Sequence, residues 1–216
     1  MTIANDRAPS LAQLLKDGSA AEHTAAEGSS FVGELLAGRV NERGYADYLA
    51  RLRRVYETLE RVGRSLADDP VVATVLDPDL ERLAAIDADL AHWGDGDALS
   101  PATDAYVARL QTCHDHPVRF VAHHYTRYLG DLSGGRAIGS IVRREFGLGE
   151  GPGTDFYRFA AIAKPKPYKD AYRRRLDALP LDGAGRQEAL AEVKRAFALN
   201  GALFAELGAD LPRYRR

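Results

Sequence analysis

Apolar residues recur at spacings of three and four along nearly the whole chain and almost nowhere alternate, which predicts an all-α protein. The longest stripe follows Asn41. Tyr45, Tyr48, Leu49, Leu52, Val55, Tyr56, Leu59, Val62 and Leu66 line one face of a helix expected to end near Asp68, Asp69 and Pro70. Upstream, Ser10 suits an N-cap with Gln13 in the capping-box position, and Leu11, Leu14 and Leu15 open a helix predicted to run to about residue 27. Further helices are expected over 31–37, closed by Gly38, over 80–93, closed by Gly94, and over about 102–113. A Gly- and Pro-rich loop at 147–153 precedes a basic helix over about 167–179 and an amphipathic helix over 186–207. No repeat, low-complexity tract or long linker divides the chain. It therefore reads as one domain over 1–216, with a folded core over about 10–207.

The stretch 117–146 breaks the rule that helix interiors avoid glycine. Pro117 suits a first helical position, and the apolar period is helical throughout, yet Gly130, Gly134, Gly135 and Gly139 are embedded in it. Each costs roughly 1 kcal/mol against alanine. Two causes account for keeping them: a kink, and the close approach of a bulky flat group.

Composition narrows the function classes. With 216 residues, 45% apolar and 28% charged, the chain is long enough for a real core, and a net charge of −2 does not suggest nucleic acid or an anionic membrane as partner. Cys113 is the single cysteine, so no disulfide framework exists, and Cys113 reads as core. Asp6 and Arg7 interrupt any signal-peptide core, and no apolar run approaches the roughly 18 residues of a membrane span. The expectation is a cytoplasmic protein, monomeric or weakly dimeric. The average conceals an asymmetry, because 12 basic and 7 acidic residues lie from Lys164 onward, against 17 basic and 24 acidic before it. The concentration in Lys164, Lys166, Lys169, Arg173, Arg174 and Arg175 reads either as a solvated face or as an anion site for carboxylate or phosphate.

The histidines separate by spacing. His114, His116, His123 and His124 do not share one helical face, which argues against a metal cluster. His23 continues the row Leu15, Ser19, His23, with Glu27 one turn on and within reach of its second ring nitrogen; a ligand oriented by a carboxylate and a satisfied structural histidine both fit. Asp131 sits inside the glycine segment beside Leu129 and Leu132. It is a functional carboxylate over open space or a surface residue tolerating a bend. The segment lacks the preceding strand and the Gly-Lys-Ser/Thr of a phosphate loop. Asn200 interrupts the apolar seam Val193, Phe197, Phe204, Leu207, and Tyr56, Tyr106 and Tyr125 place hydroxyls in apolar stripes. With Arg127 and Asp131 these side chains suggest a polar network around ordered water in an apolar pocket.

These residues carry a family resemblance. The chain resembles the haem oxygenases, particularly the short bacterial enzymes, over about 10–207. Its most specific segment is Tyr125-Thr-Arg-Tyr-Leu-Gly-Asp-Leu-Ser-Gly-Gly135, supported by Glu22-His-Thr-Ala-Ala-Glu27 and Ala196-Phe-Ala-Leu-Asn-Gly-Ala-Leu-Phe204. The resemblance implies a single-domain helical bundle holding haem between a proximal and a kinked distal helix. His23 would then be the axial iron ligand with Glu27 behind it, and Asp131 would anchor a water chain among Tyr56, Tyr106, Arg127 and Asn200. Gly130, Ser133 and Gly134 would lie against the porphyrin, with Phe197 beside it. Lys169 and Arg173 would grip the propionates, assisted by Tyr125 and Lys16. A second lysine common just before the proximal histidine is replaced here by Ala20 or Ala21.

The implied reaction is the O2-dependent opening of haem b, both cofactor and substrate, to biliverdin, CO and ferrous iron. Electrons would come from a reductase or ferredoxin. A neutral histidine ligand does not drive rapid O–O cleavage as a thiolate does. With Lys169 and Arg173 fixing the ring's rotation, the α-meso isomer is expected. Iron acquisition is one purpose such a reaction serves. A haem carrier or sensor using the same pocket is the main rival. A di-iron bundle would need Glu-x-x-His on two helices, of which Asp89 and His92 imitate only half, and the Cys-x-x-Cys-His of covalent haem is absent.

Overall fold

A computed structural model describes residues 8–149 and 151–216. Their regular structure is helical, with one isolated antiparallel bridge between Val40 and Arg215. The first helix is α1 (Leu11–Gly18), capped by the Ser10 hydroxyl on the Gln13 amide. The expectation of a single helix to residue 27 is corrected here: the chain breaks at Ser19 and resumes as α2 (Ala20–Glu27). The Ser19 hydroxyl donates to the Leu15 carbonyl at 2.7 Å, a local bond that bends the backbone after Gly18. The backbone N–H of His23 still donates to the Ser19 carbonyl, so α2 leaves at an angle set by this one residue.

After α3 (Ser30–Leu36), Gly38 turns the chain at φ 70°, in the left-handed region that glycine enters without penalty. Asn41 caps α4 (Glu42–Ser65) through Gly44, and the apolar stripe read from the sequence is buried along it from Tyr45 to Val62. The single turn α5 (Pro70–Ala73) follows. Then come α6 (Leu83–Trp93), beginning three residues later than expected, and α7 (Pro101–Gln111), both packed on α4. Cys113 lies buried just beyond α7, and burial pushes its thiol up to about 12, so it stays protonated.

Next is α8 (Pro117–Gly130), and the glycine segment itself is a five-residue π-helical turn, Asp131–Gly135, that runs straight into α9 (Arg136–Glu145). The expected kink thus takes the form of one widened turn. Such turns recur at functional sites. The basic helix is α10 (Pro165–Asp177), starting two residues early at its own proline, and α11 (Gly183–Ala209) is capped by Asp182. A final turn, α12 (Leu211–Tyr214), closes against α4. α11 is the spine of the molecule. It makes its most extensive contact with α8 and also packs on α1, α2, α3 and α7. One hydrophobic core runs through all of these elements, from Leu11 to Tyr214.

Candidate active site

α11 carries two of the relevant contacts within one turn. Phe197 meets the His23 ring edge-on, with centroids 5.5 Å apart, and Asn200, three residues on, accepts a 2.6 Å hydrogen bond from Nη1 of Arg127. The imidazole and the glycine-rich turn are therefore tied to the same stretch of helix. α2 is held there by Lys194 of α11, 3.2 Å from Glu22.

The row Leu15, Ser19, His23 runs from core to surface. Leu15 and Ser19 are buried, whereas the His23 side chain is 51% exposed. Its Nδ1 lies 3.5 Å from Glu27, close enough for an electrostatic bias on the ring but long for a hydrogen bond. Among the described residues no side chain bonds the other ring nitrogen, which leaves the imidazole available to a ligand.

On the α8 side, the sequence-predicted polar residues form a chain. Nε and Nη2 of Arg127 donate to the Tyr56 hydroxyl at 3.1 and 3.0 Å, and that hydroxyl donates to Oδ2 of Asp131. Nη2 of Arg127 also lies 3.7 Å from Oδ1 of Asp131, with both side chains largely buried. Burial pushes the Asp131 carboxyl above the usual carboxylate range, while Arg127 and Tyr56 pull against that rise. Burial likewise raises the Tyr56 phenol far above its ordinary value, so it acts as a neutral donor. Tyr106 is buried within the field of Arg127, yet its hydroxyl has no partner among the described residues, so it is near the chain without joining it.

Gly130 and Gly134 are exposed, and a methyl group added to either would meet nothing within 4 Å. Neither has a positive φ. Backbone conformation does not demand glycine here, so open space for a flat neighbour is the remaining reason for it. From the next helix, Nζ of Lys169 donates to the Ser133 hydroxyl at 2.8 Å, bringing a cation to the edge of this glycine face. Burial, then nearby Arg173, lower the Lys169 ammonium. Arg173 is partly exposed and bonded to Asp170 at 3.0 Å, Tyr125 is half-buried, and Lys16 is exposed on α1, which packs against α10. An available imidazole, an uncovered glycine face, an aromatic wall and cations at the rim fit a flat metallated macrocycle with acidic side chains.

Other polar groups prove structural. His123 is fully buried with Nε2 at 2.8 Å from Glu192, which also pairs with Arg109. Burial works to raise Glu192, but Arg109 and His123 overcome it and hold the carboxyl at about 2. Burial lowers His124 to about 3, where it sits neutral against the Tyr172 hydroxyl at 2.7 Å, and His114 faces Ser65 at 3.0 Å. Asp89, half of the imitated di-iron motif, accepts the backbone N–H groups of Gly153, Asp155 and Phe156 at 2.7–3.1 Å. The Arg109–Glu192–His123 cluster escaped sequence reasoning because its members are 83 and 69 residues apart.

Residues 9–206 match the family model described as Heme oxygenase. A heme oxygenase of Pyropia yezoensis is 38% identical over 206 residues, covering 93% of this chain and 87% of the relative. The solved structure of heme oxygenase from Leptospira interrogans superposes with a TM-score of 0.87 at 36% identity, covering 92% of this chain and all of the other. Heme oxygenase-1 from the cyanobacterium Synechocystis sp. PCC6803, solved in complex with heme, gives 0.88 at 34%, covering 95% of each chain. Among the described residues no helix is long and apolar enough to cross a membrane. The all-α fold, the paired imidazole and glycine faces and these likenesses agree, and the chain belongs to the haem oxygenase family of biliverdin-producing oxidoreductases.

Proposed function

We propose that this protein opens haem b with dioxygen at the α-meso carbon, giving biliverdin, CO and ferrous iron, with electrons delivered by an external reductase or ferredoxin. The observation that carries this reading is the chain Asn200–Arg127–Tyr56–Asp131, which ends at the uncovered glycine face. A haem carrier needs His23 and the cations but has no use for a buried proton-handling carboxylate beside them.

When bound, haem supplies the iron that engages dioxygen and the ring that is cleaved. His23 would hold the iron, with Glu27 3.5 Å from its Nδ1 to bias the ring. Phe197, edge-on to His23, would wall the same side of the ring. Lys169 and Arg173, with Tyr125 and Lys16, take the propionates, and Ser133 steers Lys169. Asp131 uses Oδ2 to accept from Tyr56, leaving Oδ1 to orient water over the glycine face; its raised affinity for protons suits it to take and return them. Arg127, anchored by Asn200, holds Tyr56 and Asp131 in register. Tyr106, whose hydroxyl is buried, extends the polar lining behind Arg127. Among large apolar side chains of the described residues, Leu36 and Leu99 are exposed, which supports a monomer.

The decisive experiment adds haem and a reductant in air and follows the visible spectrum. Loss of the Soret band with appearance of biliverdin is expected. A Soret band that persists through the same treatment would identify a carrier.

A further inference from the structure

We infer that the back of the glycine-rich helix carries a second binding site, for an organic carboxylate with an apolar body. Leu132, Arg136, Gly139 and Arg143 follow one another at helical spacing, whereas Gly130 and Gly134 are each two residues away from the first two. Two residues is close to half a turn in either winding, so this stripe faces roughly away from the side of Gly130 and Gly134. Opposite it runs the segment 154–163, and between the two lies a cavity of about 450 Å³. Small-molecule sites span about 300–1,000 Å³.

The lining itself is apolar and basic, with the one nearby carboxylate, Asp155, held by Arg158. Its apolar floor includes Leu132, Phe159 and Ile162; on one wall Arg136 has a guanidinium without a partner among the described residues and Arg143 bonds the facing loop, while on the other Arg158 pairs with Asp155 and adds a second guanidinium at the rim. Among the described lining residues none is acidic. Guanidinium forks match a carboxylate through two parallel hydrogen bonds, and an apolar floor of this extent would be wasted on a bare inorganic anion.

The walls are also built in advance. Arg143 donates to the Gly149 carbonyl at 2.6 Å and to the Thr154 hydroxyl at 2.8 Å. Buried Arg82 stacks on the Phe159 ring at 3.9 Å and donates to the Arg158 carbonyl at 3.0 Å. Asp89 fixes the chain at Gly153, Asp155 and Phe156. Tyr157 packs so closely on the helix that a methyl at Gly135 or Gly139 would come within 2.9 or 3.0 Å of it. A groove held from both sides loses little conformational freedom when a ligand enters.

Calorimetric titration of the haem-loaded protein with dodecanoate tests this, with inorganic phosphate and dodecyltrimethylammonium as comparison ligands. One saturable dodecanoate site is expected, with at least tenfold weaker binding of both comparison ligands. The double variant R136E/R158E should weaken dodecanoate at least tenfold, and Ser140→Trp, which fills the groove without removing charge, should do the same. Arg144→Glu, on an exposed residue outside the lining, should leave binding unchanged. Unaltered melting and haem spectra identify variants that remain folded. Absence of saturation, comparable binding of the cation or of phosphate, or full binding in both groove variants would overturn the proposal. None of these readouts depends on turnover, so failure here is separate from failure of the oxygenase reading.

Discussion

The Tyr56 hydroxyl donates to Asp131 while it accepts from two nitrogens of Arg127, so one neutral oxygen couples a buried cation to a buried carboxyl. Asp131→Asn keeps the shape of this junction and removes its carboxyl. On the proposed reading, in which His23 and the rim cations carry haem and Asp131 exchanges protons, haem affinity should change less than threefold. Biliverdin formation should fall at least a hundredfold, the scale of a lost general acid–base group. Parallel haem titration and product chromatography check both; full turnover in the variant would remove Asp131 from the mechanism.

Gly134 separates folding from binding. Its methyl would meet nothing, and alanine is the better helix former by up to about 1 kcal/mol, so Gly134→Ala should melt no lower than the parent. Gly134→Leu should remain folded and lose at least tenfold in haem affinity, because its side chain fills the open space that the proposed reading gives to the ring. Thermal melts of the haem-free protein and haem titrations are the measurements.

On the proposed reading Lys169 and Arg173 together set the rotation of a bound ring. Replacing both with alanine should turn a single biliverdin isomer into a mixture, read by chromatography, at a lower rate. Unchanged isomer composition would detach regiochemistry from these two side chains.

The basic end of the chain carries a net +5 over 164–216 against −7 before it. If this end also receives an acidic electron donor, raising salt from about 0.05 to 0.5 M should slow donor-dependent turnover severalfold while haem affinity changes little, since screening weakens exposed charge pairs first. Steady-state rates with a fixed ferredoxin concentration measure this.

Acid should unpick the Arg109–Glu192–His123 cluster. Glu192 is held at about 2 against its ordinary 4.5, so it contributes stability above pH 4.5 that disappears as pH falls through that interval. The shift corresponds to something on the order of 3 kcal/mol. Burial lowers His123 as well, which adds a cost in the same direction when its ring must charge. Urea midpoints between pH 7 and 3 should fall more steeply for the parent than for Glu192→Gln.

Much of this architecture is written locally. The stripe from Tyr45 to Val62, the Ser10 cap and the glycine density after Leu129 each act within a few residues of themselves, and each appears where the spacing places it. Ser19 was harder, because a serine in mid-helix breaks the chain only when its hydroxyl turns back to the preceding carbonyl. The glycine segment announced a bend, but its spacing does not distinguish a kink from the π turn that forms. Arg127 gained its central place from Tyr56 and Asn200, 71 and 73 residues away, a pairing that no periodicity encodes.

The π turn also behaves as a one-residue insertion accommodated inside a continuous helix. Deleting Ser133 would restore regular winding and leave the phase of α9 relative to α8 almost unchanged, because the widened turn already absorbs the extra residue. Arg136 and Gly139 would stay in the groove, and Tyr157 would keep the glycines it packs against. What the deletion removes is the hydroxyl that meets Lys169, so the extra residue reshapes one side of the helix while the other keeps its register.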